Sequence, residues 1–209
     1  MLPYLLPFML YIGLSILGGY FNYGPFILYP VKTIIVGFSL YYFRNTYVEL
    51  KSKYTLHQLS VSIAVGILVF IVWILPEGRY PTLGTSSFDP FVLPQNWMIF
   101  GSIFFRILGA SIIVPLFEEL FWRSFLIRWI INQDFKTIAI GTFTWLSFGL
   151  TSLFFGLEHH RWLVGILAGI IYNLLLYKYK NIRLCVISHG VTNFILGIYV
   201  LITGQWSYW

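Results

Sequence analysis

The sequence predicts an all-α polytopic membrane protein, a bundle of seven transmembrane helices that becomes eight if the fourth span breaks at its proline. Three observations predict it. Of the 209 residues, 58% are hydrophobic and only 10% charged, whereas soluble domains carry about 25% charged residues, and mean hydropathy is +0.80. Apolar runs near the length that crosses a hydrocarbon core, about 20 residues, recur along the whole chain. The basic residues fall between those runs in short loops (Arg44, Lys51, Lys53; Arg128, Lys136; Lys178, Lys180, Arg183), as cytoplasmic loops of membrane proteins require. Aromatic residues, 21% of the chain, suit the headgroup level at both membrane faces.

The first span, 2–20, opens Met1-Leu-Pro-Tyr-Leu-Leu with no positive leader, so it reads as a retained helix rather than a cleaved signal peptide. Spans 26–43 and 59–75 follow. The polar stretch 77–96 is too short to build a core of its own. A single integral membrane domain over 1–209 is therefore expected, its spans in 1–96 without chemical motifs and its catalytic core in 97–209. The fourth run, 97–131, is too long for one crossing, since about 35 residues at 1.5 Å each reach roughly 50 Å. Pro115 lies in its middle, where a missing N–H kinks or breaks a helix. Runs 137–157, 163–179 and 184–203 complete the set.

Seven crossings gather the basic loops on one side, with the N-terminus in the cytoplasm, and put the acid-containing loop 77–89 on the other. A bacterial inner membrane is the expected location. The net charge of +6 comes without a dense basic run, so the expected partners are the lipid bilayer and a membrane-anchored protein or peptide, not nucleic acid. Cys185 is the only cysteine, which excludes an intrachain disulfide. One feature of this topology is awkward. Counting residues from the span ends puts Glu118 and His189 toward the inner half and His159 near an outer end. A short, tilted or re-entrant segment around His159 would reconcile them.

The chemistry concentrates in Ile112-Ile-Val-Pro-Leu-Phe-Glu-Glu-Leu-Phe-Trp-Arg123. A carboxylate at mid-membrane costs roughly 2.5–3.5 kcal/mol on insertion scales, and here Glu118 and Glu119 stand side by side. The other five acids (Glu49, Glu77, Asp89, Asp134, Glu158) fit loops or span ends. Glu119 and Arg123 are four apart on one helix face, in the favourable order for an ion pair, and that pairing alone explains both. It leaves Glu118, about 100° around the helix, facing the bundle interior.

Three further polar residues lie in apolar surroundings. His159 ends Ser152-Leu-Phe-Phe-Gly-Leu-Glu-His-His160 and read alone is an interfacial histidine. His189 and Asn193 share a face of the last helix, where each alone can serve as a bridge to a neighbouring helix at about 0.6–2 kcal/mol. Together, Glu118, His159, His189 and Asn193 form an inventory that can cut an amide. A carboxylate and an imidazole can hold a water and take its proton. A second imidazole and a carboxamide can donate to the tetrahedral oxyanion, a contribution of about 2.7–4 kcal/mol per donor. Neither GxSxG nor HExxH occurs, and no cofactor is expected.

These residues resemble a known family. Glu118-Glu-Leu-Phe-Trp-Arg123 is similar to the EExxxR motif of the CAAX-protease and bacteriocin-processing membrane proteins (the CPBP or Abi family), Phe155-Gly-Leu-Glu-His159 to its FxxxH motif, and His189-Gly-Val-Thr-Asn193 to its HxxxN motif. The three occur in the family's order within 112–201, and the aromatic-rich flanks look most like the CAAX-protease-related proteins of bacterial exosortase-type sorting systems. The resemblance implies a glutamate-type intramembrane endopeptidase. In it Glu118 and His159 activate water, His189 and Asn193 stabilise the oxyanion, and Glu119 and Arg123 are support residues. It further implies a substrate cut near its C-terminal or membrane-anchored tail.

Three rivals share the inventory. Glu and two His can bind zinc, as in a zinc-dependent membrane protease. An immunity or scaffold protein can keep the cluster for packing alone. A transporter can relay protons through buried carboxylates, although no pair of interrupted segments marks one here.

Overall fold

A computed structural model describes residues 1–21, 23–84 and 87–209. Among them seven helices carry the chain: α1 (Leu2–Gly18), α2 (Gly24–Tyr42), α3 (Leu56–Ile74), α4 (Asn96–Ile131), α5 (Trp145–Leu157), α6 (Trp162–Tyr179) and α7 (Ile182–Thr203). No strand occurs among the described residues, in agreement with the all-α membrane class. Five of the helices are long and apolar enough to cross a bilayer; α1 and α5 are apolar but shorter.

The two ends of the bundle are tied by different loops. At one end Tyr47 donates to the Pro3 carbonyl (2.6 Å), Asn181 to that of Lys53 (3.0 Å) and Arg183 to that of Ser52 (2.9 Å). This end collects the basic loops. At the other, Trp162 donates to the Pro81 carbonyl (3.0 Å) and Arg161 to that of Ser207 (2.8 Å). Local chemistry sets the helix ends. Thr55 and Gln58 form a reciprocal capping box at the start of α3, and Gly204, at φ +67°, closes α7 in the left-handed conformation that glycine adopts without strain.

α4 decides between seven and eight spans: the helix runs unbroken through 36 residues, so the seven-helix bundle stands and the eight-helix alternative falls. It absorbs the proline by widening. Residues Gly109–Ile113 take the π form, and the Val114 N–H reaches back five residues to the Gly109 carbonyl. At that spacing the donor for the Ala110 carbonyl would be Pro115, which has none. Asn193 of α7 supplies it instead, its Nδ2 donating to Ala110 at 2.8 Å. A second π segment, Leu120–Leu126, follows the two glutamates.

α5 is a correction. The apolar run 137–157 predicts a full crossing, yet the helix spans only Trp145–Leu157. Gly141 adopts φ +76°, and Thr144 caps the helix by accepting from the Ser147 N–H at 3.2 Å, so the helix begins late. Thirteen residues extend about 20 Å at 1.5 Å each, less than the roughly 30 Å of hydrocarbon. α5 therefore does not span the hydrocarbon by itself. α5 and α6 pack with backbones nearly touching, because a Cβ on Gly165 would stand 2.9 Å from the Gly156 Cα. Small residues permit such crossings in membranes.

Candidate active site

The π-widened middle of α4 carries Glu118 and Glu119 into the bundle, where both are buried. Glu119 is held on two sides. Arg123 Nη1 donates to its Oε1 at 3.2 Å, with both side chains fully shielded, and His189 Nδ1 lies 2.8 Å from the same oxygen. Arg123 is anchored further by Asn173 Oδ1 (3.2 Å), by the Gly169 carbonyl (3.5 Å) and by the Phe155 ring 4.1 Å beneath its guanidinium. Asn173 in turn donates to Thr151 Oγ1 and Ser152 Oγ, each at 3.0 Å. The pair thus locks α4 to α5, α6 and α7 through buried polar bonds that no water can replace.

This chain of bonds orients His189. With Nδ1–H donating to Glu119, and the ring stacked 5.2 Å from that of Tyr172, Nε2 faces Glu118, whose Oε2 is 4.0 Å away. That gap is too long for a direct hydrogen bond and suits one bridging water. Glu118 Oε2 is buried and has no hydrogen-bond partner in the protein. His159 enters from the α5–α6 turn. Its Nδ1 sits 2.7 Å from the Phe155 carbonyl, which fixes Nδ1 as the donor and leaves the Nε2 lone pair available as a base. The ring is fenced by Trp73 at 5.3 Å and Phe155 at 5.1 Å.

Glu118, His159, His189 and Asn193 all line a single cavity of about 410 Å³, a size typical of small-ligand sites. Asn193 spends one amide hydrogen on Ala110 and keeps a second. Glu119 and Arg123 stay behind the wall. Among the described residues no three His, Cys, Asp or Glu side chains converge as a ligand set for a metal ion.

Sequence reasoning missed three charged groups on this cavity. Glu158, assigned to a span end, lines it and accepts from the Trp122 indole at 3.1 Å. Lys32 of α2 and Arg106 of α4 line it too. Both lie in runs read as apolar spans, and an ionisable residue inside such a run is itself the signal that would have found them. Arg161, Ser207 and Tyr208 line the cavity as well. Here Arg161 forms a two-pronged pair with Glu77 (2.6 and 2.8 Å), and that hydrogen bonding holds the Glu77 carboxyl below its ordinary value of 4.5.

Residues 100–195 match the family model of the type II CAAX prenyl endopeptidase Rce1-like proteins. This stretch, a little under half of the chain, is similar to the CAAX-protease family. The match contains Glu118, His159, His189 and Asn193 as well as Glu119 and Arg123, while α1, α2 and α3 lie outside it. No curated protein and no solved structure matches the chain. The family match supports an intramembrane protease in general, and the apolar helices support an integral, multi-pass membrane protein.

Proposed function

We propose that this CAAX-protease-like chain is a glutamate-type endopeptidase that hydrolyses a peptide bond near the C-terminal or membrane-anchored tail of a protein or peptide. Glu118 and His159 hold a water and Glu118 takes its proton as the oxygen attacks the scissile carbonyl. His189 and the free amide hydrogen of Asn193 donate to the oxyanion. Collapse of the tetrahedral intermediate breaks the C–N bond, and the proton held by Glu118 passes to the leaving amine. Glu119 and Arg123 are positioning residues, the first by orienting His189 and the second by holding Glu119.

The observation that carries this reading is Glu118 itself, a buried carboxylate whose Oε2 has no partner in the protein and which shares one cavity with two imidazoles and a carboxamide. A scaffold would leave no reason for an orphan acid in apolar surroundings, since each unmade buried bond costs about 1–3 kcal/mol. Glu118→Gln tests it. The expected result is loss of cleavage with an unchanged yield of folded protein, and retained cleavage would refute the assignment. Activity lost to a chelator and restored by zinc would replace the mechanism with a metal-dependent one.

A further inference from the structure

Lys32 and Arg106 are cations that the hydrolysis above does not use. Lys32 is 8% exposed; its Nζ donates to Ser15 Oγ at 2.7 Å and lies 3.9 Å from the Tyr11 ring centre and 4.6 Å from that of Tyr29. The guanidinium of Arg106 stands 4.5 Å over the same Tyr29 ring and 5.0 Å from Phe88, and its Nε is buried with no hydrogen-bond partner. Among the described residues neither cation forms an ion pair. Two like charges around one ring, away from bulk water, repel with little screening. A shared anion removes that repulsion and gives the unfilled donors their acceptor.

Both cations line the same cavity as Glu118. Tyr11 connects the two regions, since its ring also lies 4.8 Å from that of Phe117, the neighbour of Glu118. A short extended peptide can therefore touch both. We propose that Lys32 and Arg106 form an anion subsite that holds the free terminal carboxylate of the peptide whose bond lies at Glu118. The planar guanidinium fork matches a carboxylate in two parallel bonds, and an occupant sharing this cavity with the base is part of the molecule being cut. The inference rests on the peptidase reading, but its test does not need cleavage.

The experiment uses full-length Glu118→Gln protein in neutral maltoside micelles. A mixture of apolar hexapeptides is offered in equal amounts as free acids and as C-terminal amides, and the retained peptides are quantified by mass spectrometry. The expected enrichment of acids over amides is about 10-fold, the order that one charge-assisted pair gives. It should fall to near one in Arg106→Gln and Lys32→Gln and return in Lys32→Arg. The ratio is internal to each sample, so a loss of folded protein does not mimic the effect. Equal retention of both forms by the parent, or a preference that survives both charge-removing substitutions, overturns the proposal. Phosphatidylglycerol that co-purifies in an Arg106-dependent manner and cancels the preference for acids reassigns the subsite to a lipid headgroup. Failure of wild-type protein to cleave any peptide would refute the peptidase reading and leave this ratio unaffected.

Discussion

Replacing Arg123 by methionine tests the buried network most directly. The substitution keeps the length of the side chain but deletes its bonds to Glu119 at 3.2 Å, Asn173 at 3.2 Å and Gly169 at 3.5 Å. It leaves a carboxylate that is fully shielded from solvent with only His189 beside it. Removing one partner of a buried pair costs about 3–5 kcal/mol, because the remaining charge cannot reach water. For a chain of this size each kcal/mol moves Tm by about 2–4 °C, so the expected drop is roughly 6–20 °C. Thermal unfolding in micelles, followed by circular dichroism, reads it. The control is the double substitution Glu119→Gln with Arg123→Met, which removes both charges and should recover at least half of the loss. A single variant as stable as the parent would show that Glu119 does not depend on Arg123, and a double variant no better than the single would show that the loss was packing rather than charge.

Two further outcomes follow from the geometry. Pro115→Ala supplies the N–H that the Ala110 carbonyl lacks, in competition with Asn193; peptide cleavage should fall about 10-fold, a fraction of the 10²–10³ that loss of an oxyanion donor costs, while Tm holds or rises. Beside the cavity-lining Arg161, Glu77 is held below its ordinary carboxylate value, so its contribution is fully present above pH 4.5 and is lost as the pH falls through the depressed folded value. The difference in Tm between the wild type and Glu77→Gln should accordingly be present at neutral pH and vanish in acid; a difference that persists at low pH would show that the ion pair is not its source.

Composition and the spacing of apolar runs were enough to specify an all-α membrane bundle, because hydropathy reports which surface must face lipid. The same logic singled out Glu118, Glu119, His159, His189, Asn193 and Arg123, since polar groups in apolar runs need partners. What hydropathy does not register is backbone punctuation. Gly141 and Thr144 shorten α5, and the packing of α5 and α6 in the bundle sets His159 on the same cavity as Glu118. Nor does the chain announce that a π turn before Pro115 keeps α4 whole and hands the Ala110 carbonyl to Asn193. Lys32 and Arg106 were visible as letters, but 74 positions separate them and only the packing of α2 on α4 sets both around the Tyr29 ring. The one-dimensional code thus decided which groups must be buried; which of them meet, and with what left unpaired, depended on helix lengths and crossings that exist only once the bundle has closed.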